Sequence, residues 1–361
     1  ALCGPLCPSH RFADNILEMT QERLLIIDGS HGEGGGQILR TSLALAVIQG
    51  RPIKIERIRA KRDKPGLRRQ HLMAVRAAAA ISGGKLKGDE IGSRELEFRP
   101  QALQPGDYRF DIGSAGSTTL VLQTILPPLL LADGPSTIEL IGGTHNPFAP
   151  PVDFLERAFV PLLNRIGAQL VLTLERPGFY PVGGGRLHVQ IGGACRLGPL
   201  VLVDRGDIRR RLCRATVSNL PDHIGRRELA TVAAELDWPE ECLELRRYQG
   251  SHGPGNVVTL EIESEHVSEV FTGFGRRGVR AEAVAGEAIA EAKRYLEAGV
   301  PVGEHLADQL LLPLALAGAG EYVTLPPSPH VTSNIKIIQQ FLDVPIAIEE
   351  AGERKHRIRV G

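Results

Sequence analysis

Aromatic side chains are scarce, 4% of 361 residues with a single Trp, so the chain lacks a stacking platform of the kind used to bind single-stranded nucleic acid. Cysteine is rare too. The five, at positions 3, 7, 195, 213 and 242, are an odd number with no C-x-x-C pair, which argues against a disulfide framework and against a thiolate zinc site. A reducing, cytoplasmic setting is expected from that. Net charge is absent, with 42 Lys plus Arg against 42 Asp plus Glu, so any anion binding is local rather than the work of a global field. No apolar run reaches the ~20 residues of a membrane span; the best, Leu120 to Ala132, is interrupted by Pro127 and Pro128. Residues 1–18 lack the charged-then-apolar order of a signal peptide and are expected to be an extension outside the fold, since Met19 stands just before the first strand.

Several standard motifs are missing as well. The sequence holds no G-x-x-x-x-G-K-[ST], no G-x-S-x-G and no H-E-x-x-H. "HGEGGGQ" fails the G-x-G-x-x-G fingerprint because Gln37 fills its last place. The common nucleotide-binding, hydrolase and metalloprotease routes drop out.

What is present is a recurring order of elements. Leu24 to Ile27 reads as a strand, Gly36 to Ile48 as a helix, Pro52 to Ile58 as a strand and Arg68 to Ile81 as a helix, followed by short strands near Lys85 and over Glu95 to Phe98. The order returns from "YRFDIGSAGSTTLVLQTILPPLLLA" to "GRLHVQI". A third copy reads as split, with its tail over His305 to Val360. The fold class expected is therefore α+β: three repeated βαβαββ units forming a large domain over 19–186 and 281–361, with a smaller α/β domain over 187–280 inserted in the third unit. In the first two copies the loop before the first helix is glycine-rich, "GEGGGQ" and "GSAGST", and in the third it is "PVGEHLADQ". One such loop is equally well a tight turn. Three together favour an anion site, since glycine lets backbone N–H groups approach and a helix start carries roughly half a positive charge. Arg57, Arg59, Lys61, Arg62, Lys64, Arg68 and Arg69 crowd one stretch, broken by Pro65 and Gly66 as a loop would be.

At seven stretches the chain resembles the RNA 3'-terminal phosphate cyclase family: "DGSHGEGGGQILR", "IRAKRDKPGLRRQH", "GSAGSTTLVLQTILP", "GGTHNPFAPP", "FYPVGGG", "GEHLADQLLLPLALAGAG" and "PHVTSNI". The resemblance implies an ATP-dependent ligase that converts an RNA 3'-phosphate to a 2',3'-cyclic phosphodiester through a covalent histidine-AMP intermediate and an RNA-adenylate. By match to the family's motifs, His330 is the nucleophile, at a helix start that Thr332 or Ser333 could cap. Glu33 is the metal-side acid, for Mg2+ or Mn2+, and Arg40 and Arg59 hold phosphates. Gln123 and the run His305, Leu306, Ala307, Asp308 and Gln309 meet ATP. The family often has tyrosine where this chain has His305, which leaves an imidazole to stack on the base. His71 is placed near the substrate phosphate. The partners implied are an RNA 3'-phosphate end and ATP, with no membrane and with room for a homodimer. With so few aromatics, the phosphate end rather than the bases is the recognised feature. The competing readings are a non-catalytic cyclase-like scaffold binding RNA or ribosome-assembly partners, and an enolpyruvate-transfer enzyme of similar repeated layers. The non-catalytic branch lacks the nucleophile that stands here as His330.

Overall fold

The computed structural model describes residues 24–32 and 34–361; the expected extension over 1–18 lies outside them, as does Glu33. The described residues build a mixed α/β structure of four four-stranded sheets. The first holds β1 (Leu25–Asp28), β2 (Ile53–Glu56), β3 (Lys85–Lys87) and β4 (Leu96–Arg99). The second holds β5 (Asp107–Asp111), β6 (Ser136–Gly142), β7 (Leu170–Arg176) and β8 (Gly185–Ile191). The third combines β9 (Val201–Leu202) with β14 (Gly320–Thr324), β15 (Ile346–Gly352) and β16 (Lys355–Val360). In each of these three, the first two strands run parallel, the second pairs antiparallel with the fourth, and the fourth antiparallel with the third. Parallel neighbours need a crossover. Helix α1 (Gly36–Gln49) supplies it between β1 and β2, and α3 (Thr118–Leu131) between β5 and β6.

The remaining sheet, β10 (Ile208–Ser218), β11 (Leu243–Tyr248), β12 (Gly255–Ser264) and β13 (Ser268–Phe274), lies between β9 and β14 in the chain. It carries helices α4 (Asp222–Leu236) and α5 (Ala281–Ala298) and closes its own core around Val232, Leu260, Ala288 and Tyr295. A boundary at 187 therefore falls inside β8, and one at 280 falls immediately before a helix that packs on β12 and β13.

Helix α1 is buried on most of its circumference, as a helix among others must be; α2 (Arg69–Ser82), α3 and α7 (Pro329–Phe341) pack against it. Helix α3 continues through Pro127 and Pro128. Its start is fixed by Ser117, whose hydroxyl accepts the Leu120 N–H at 3.2 Å. No helix of the described residues is long and apolar enough to cross a membrane.

One buried acid makes the small core sensitive to pH. Glu228 on α4 is fully buried, with Oε2 accepting from Asn256 at 2.9 Å and Oε1 without a hydrogen-bond partner. Burial pushes its carboxyl up to about 7 against the pull of Asn256 and Arg227. Because the folded form holds a proton that the unfolded chain releases near pH 4.5, stability falls as pH rises from about 4.5 to 7 and levels off above that. Glu228→Gln should therefore abolish part of the decline in Tm between pH 4 and 8, a gain of about 3 kcal/mol at the alkaline end, with little difference from the parent at pH 4. Thermal melts of both proteins across that range check it.

Candidate active site

Strand β1 ends at Asp28, whose carboxylate accepts the Ser30 N–H (2.9 Å) and hydroxyl (2.7 Å) and pairs with Arg57 at 2.6 Å. The chain then enters the first glycine loop. Gly32 sits at φ 53, the left-handed region, and a Cβ there would lie 2.0 Å from the Ser333 hydroxyl on α7. Gly36 is equally constrained, since a Cβ would lie 2.4 Å from the His71 ring and 3.1 Å from the Arg40 guanidinium. The glycines thus allow the loop to touch α7 on one side and the arginine-rich segment on the other. Lys61 reaches across to the Gly32 carbonyl at 2.9 Å.

Gln37, Arg40 and Thr41 lie one turn apart on α1 and therefore share a face. Each contacts a different helix. Arg40 donates from Nε to Gln123 Oε1 on α3 at 3.2 Å, and Thr41 donates to Asn334 Oδ1 on α7 at 2.9 Å. Gln37 donates its amide to Asp308 Oδ1 on α6 (Glu304–Ala317). Asp308 also accepts from Asn334 at 3.0 Å and from Gln309 at 3.3 Å, and Gln309 accepts from Gln123. Burial pushes the Asp308 carboxyl up, while His330, the two amides and Arg40 pull it back.

The direction of this network is fixed at its ends. Guanidinium only donates, so Gln123 Oε1 must face Arg40, its amide must face Gln309, and the Gln309 amide must face Asp308. On the other side the Gln37 amide faces Asp308, which turns Gln37 Oε1 toward His330. The His330 Nδ1 lies 2.9 Å from that oxygen. A carbonyl oxygen accepts only, so Nδ1 carries the proton and the lone pair of the neutral ring is on Nε2.

Beside the network lies a concentration of positive charge. Arg59, at φ 53, donates to the carbonyls of Lys64 (2.7 Å) and Gly66 (3.0 Å). Burial lowers its pKa first, and the neighbouring Arg62 and Arg68 lower it further. His71 is buried and pushed down to about 3, by burial first and then by Arg59, Arg40 and Arg68. It stays neutral, its Nδ1 accepting the Arg68 N–H at 3.3 Å. Cations crowded closely enough to lower the pKa of Arg59 and hold His71 neutral make a site for an anion. The second glycine loop leans on the same segment: Arg69 donates to the Gly113 carbonyl at 3.2 Å, and Gln70 accepts the Ser117 N–H at 3.1 Å.

Of the residues singled out from the sequence, His330, Arg40, Gln123, Asp308 and Gln309 meet in one network, and Arg59 stands in the adjoining basic segment. Three do not join them. Leu306 and Ala307 are buried in the core, and the Ala307 carbonyl accepts the Tyr322 hydroxyl at 2.6 Å. The His305 ring pairs with Glu291 of α5 at 3.6 Å, and that contact raises its pKa. The third loop also departs from the other two. Its Gly303 N–H is taken by Glu269, a buried carboxyl that burial pushes up to about 8. His330 lies inside the first turn of α7 rather than before it. The N-cap is Ser328, and Thr332 bonds back to the Pro329 carbonyl instead of capping.

Gln37, Thr41 and Asn334 are the parts that motif reading leaves without a role, while Arg62 and Arg68 enter it only as members of the arginine-rich stretch. Only the position of Gln37 one turn before Arg40 hints at a shared face.

A family model described as RNA 3'-terminal phosphate cyclase matches residues 31–348. A protein of that name from Ectopseudomonas mendocina (strain ymp) is 51% identical over 327 residues, 91% of this chain and 96% of the relative. One from Ralstonia nicotianae is 52% identical over 90% of this chain and 93% of its own length. A third, from Koribacter versatilis, is 49% identical over 91% and 92% respectively.

Proposed function

The chain belongs to the RNA 3'-terminal phosphate cyclase family, and from that premise we propose that it cyclises RNA 3'-phosphates with ATP by way of adenylate held on His330. The observation that carries this reading is the Gln37 contact to His330, which puts the ring's lone pair on Nε2. In the first step Nε2 attacks the α-phosphorus of ATP, an N–P bond forms, and the P–O bond to pyrophosphate breaks. As positive charge develops on the ring, Gln37 Oε1 accepts more strongly from Nδ1–H, with the Asp308 carboxylate behind it. In the second step an oxygen of the RNA 3'-phosphate attacks the same phosphorus, the N–P bond breaks, and Nε2 regains its lone pair. In the third the ribose 2'-oxygen attacks the 3'-phosphorus, its proton passes to solvent or a base, and AMP departs.

Arg40, Arg59, Arg62 and Arg68 would hold the crowded phosphates, and guanidinium suits that work because its paired donors fit two phosphate oxygens. Asp308 and Gln309 would meet the nucleotide from within this network, whereas Leu306 and Ala307, whose side chains pack in the core, would contribute through the backbone of the run. A divalent ion, Mg2+ or Mn2+, would neutralise phosphate charge when bound. Glu33 would hold it together with the ATP phosphates, since Mg2+ commonly uses one or two carboxylates plus substrate oxygens.

We also read the three sheets of common strand order as copies of one unit, the third opened between β9 and β14 to admit the small sheet with α4 and α5. The copies would deliver α1, α3 and the α6–α7 pair to one point, and that is the source of the network. A cytoplasmic location and a homodimer remain part of this reading.

The test is an incubation with α-labelled ATP and Mg2+. Without RNA the protein should take up an acid-labile label; with a 3'-phosphorylated RNA the label should leave as AMP and the RNA should gain a 2',3'-cyclic end. Binding of RNA with neither label nor cyclic end would favour the non-catalytic scaffold instead.

A further inference from the structure

Two loops beside the second glycine loop end in exposed aromatic rings. Phe148 is 102% exposed and Tyr180 is 73% exposed, the two highest values among the large apolar side chains of the described residues. Val182, on the same turn as Tyr180, is 47% exposed. The cost of leaving these rings in water is compounded at Phe148 by its φ of 64, a conformation that is strained for any residue with a Cβ.

The loops beneath the rings are anchored by side-chain contacts. Phe179 stacks on His145 with ring centroids 5.3 Å apart, and His145 bonds to Asp153 at 2.6 Å. Both loops rest on one short segment. Asn146 donates to the Ala115 carbonyl at 2.6 Å, and a Cβ on Gly183 would lie within 2.9 Å of Ser114 and Ala115. The other side of that segment receives Arg69 at Gly113 and Gln70 at Ser117. The Gly113–Ser117 segment thus touches both the arginine-rich segment and the two loops that carry the exposed rings.

Resting on the cyclase reading above, we propose that Phe148 and Tyr180 form a stacking surface for the nucleotides of single-stranded RNA just upstream of the terminal phosphate. Arginines of the 59–69 segment hold the phosphates and the rings hold the bases. Arg176, which donates to the Gly184 carbonyl at 2.9 Å under the Tyr180 turn, continues the positive lining. Single-stranded RNA fits this pairing of charge and rings, because its unstacked bases offer flat faces regardless of sequence. The contact is sequence-tolerant. It also amends the expectation, drawn from the low aromatic content, that the phosphate end alone is recognised.

Binding of a 3'-phosphorylated RNA decamer and of a 3'-phosphorylated dinucleotide, measured by fluorescence anisotropy without ATP, tests this. Phe148→Ala and Tyr180→Ala should each weaken the decamer about tenfold and leave the dinucleotide nearly unchanged. Phe148→Trp should retain decamer binding. Phe148→Gly should lose it while raising Tm, since glycine relieves the left-handed backbone. Unchanged decamer affinity in the double alanine variant would overturn the inference. So would a loss of ATP affinity in place of RNA affinity, which would assign the rings to the nucleotide. Failure of the cyclase reading is separate: it would show as absence of label from α-labelled ATP on the parent protein.

Discussion

His330→Ala should take up no label from α-labelled ATP and should cyclise RNA at least about 10^4-fold more slowly than the parent. The loss is this large because the first bond of the reaction is made by the ring itself, and no neighbouring group can replace it. The Gln37 amide and the Asp308 carboxylate are oriented toward each other and toward His330, and neither presents a nucleophilic nitrogen. The cost in stability should stay small, about 0.5–1.5 kcal/mol for the lost hydrogen bond to Gln37, since the ring is otherwise exposed on the first turn of α7. A circular dichroism melt beside the labelling assay separates the two effects. Labelling of the alanine variant at the parent's rate would exclude His330 as the nucleophile.

Asp308→Asn should slow adenylylation by about 10^2 to 10^4, although Asp308 makes no bond to phosphorus in the reaction. Three amide donors, from Gln37, Asn334 and Gln309, converge on this carboxylate. An amide in its place brings two further donors among them. The cheapest repair is rotation of Gln37, which presents its NH2 to His330 Nδ1. That in turn requires a lone pair on Nδ1 and a proton on Nε2, so the attacking nitrogen is blocked. Gln37→Leu should fall in the same range by removing the link. In Gln37→Leu the loss should appear in the maximal rate of label uptake with little change in the ATP concentration at half-rate, because the tautomer governs attack rather than binding; Asp308→Asn should raise that concentration as well, since Asp308 also meets the nucleotide. Asp308→Asn labelling at an undiminished rate would refute the positioning role.

Much of this arrangement was legible in the sequence, and the remainder has physical reasons for having been hidden. The first glycine loop was visible because strand, loop and helix follow one another locally, from Leu25 to Gln49. The nucleophile candidate and its distant partners were identified by family resemblance, since nothing local connects His330 with a residue 293 positions earlier. Gln37 escaped notice because its role depends on three helices meeting, which no spacing encodes. Leu306 and Ala307 belong to the nucleotide run by resemblance and through its backbone; their side chains are core, because helical periodicity sends successive side chains in different directions. Strand β9, only two residues long, carries no alternation to read. The exposed Phe148 was invisible for the opposite reason: a composition of few aromatics does not reveal where those few are displayed.

The most direct measurement is the site of attachment in the adenylated protein, read by phosphorus-to-nitrogen scalar coupling in isotopically labelled histidine. The relay from Asp308 through Gln37 predicts phosphorus on Nε2 of His330, with Nδ1 still protonated. Phosphorus on Nδ1, or on any other side chain, would contradict it.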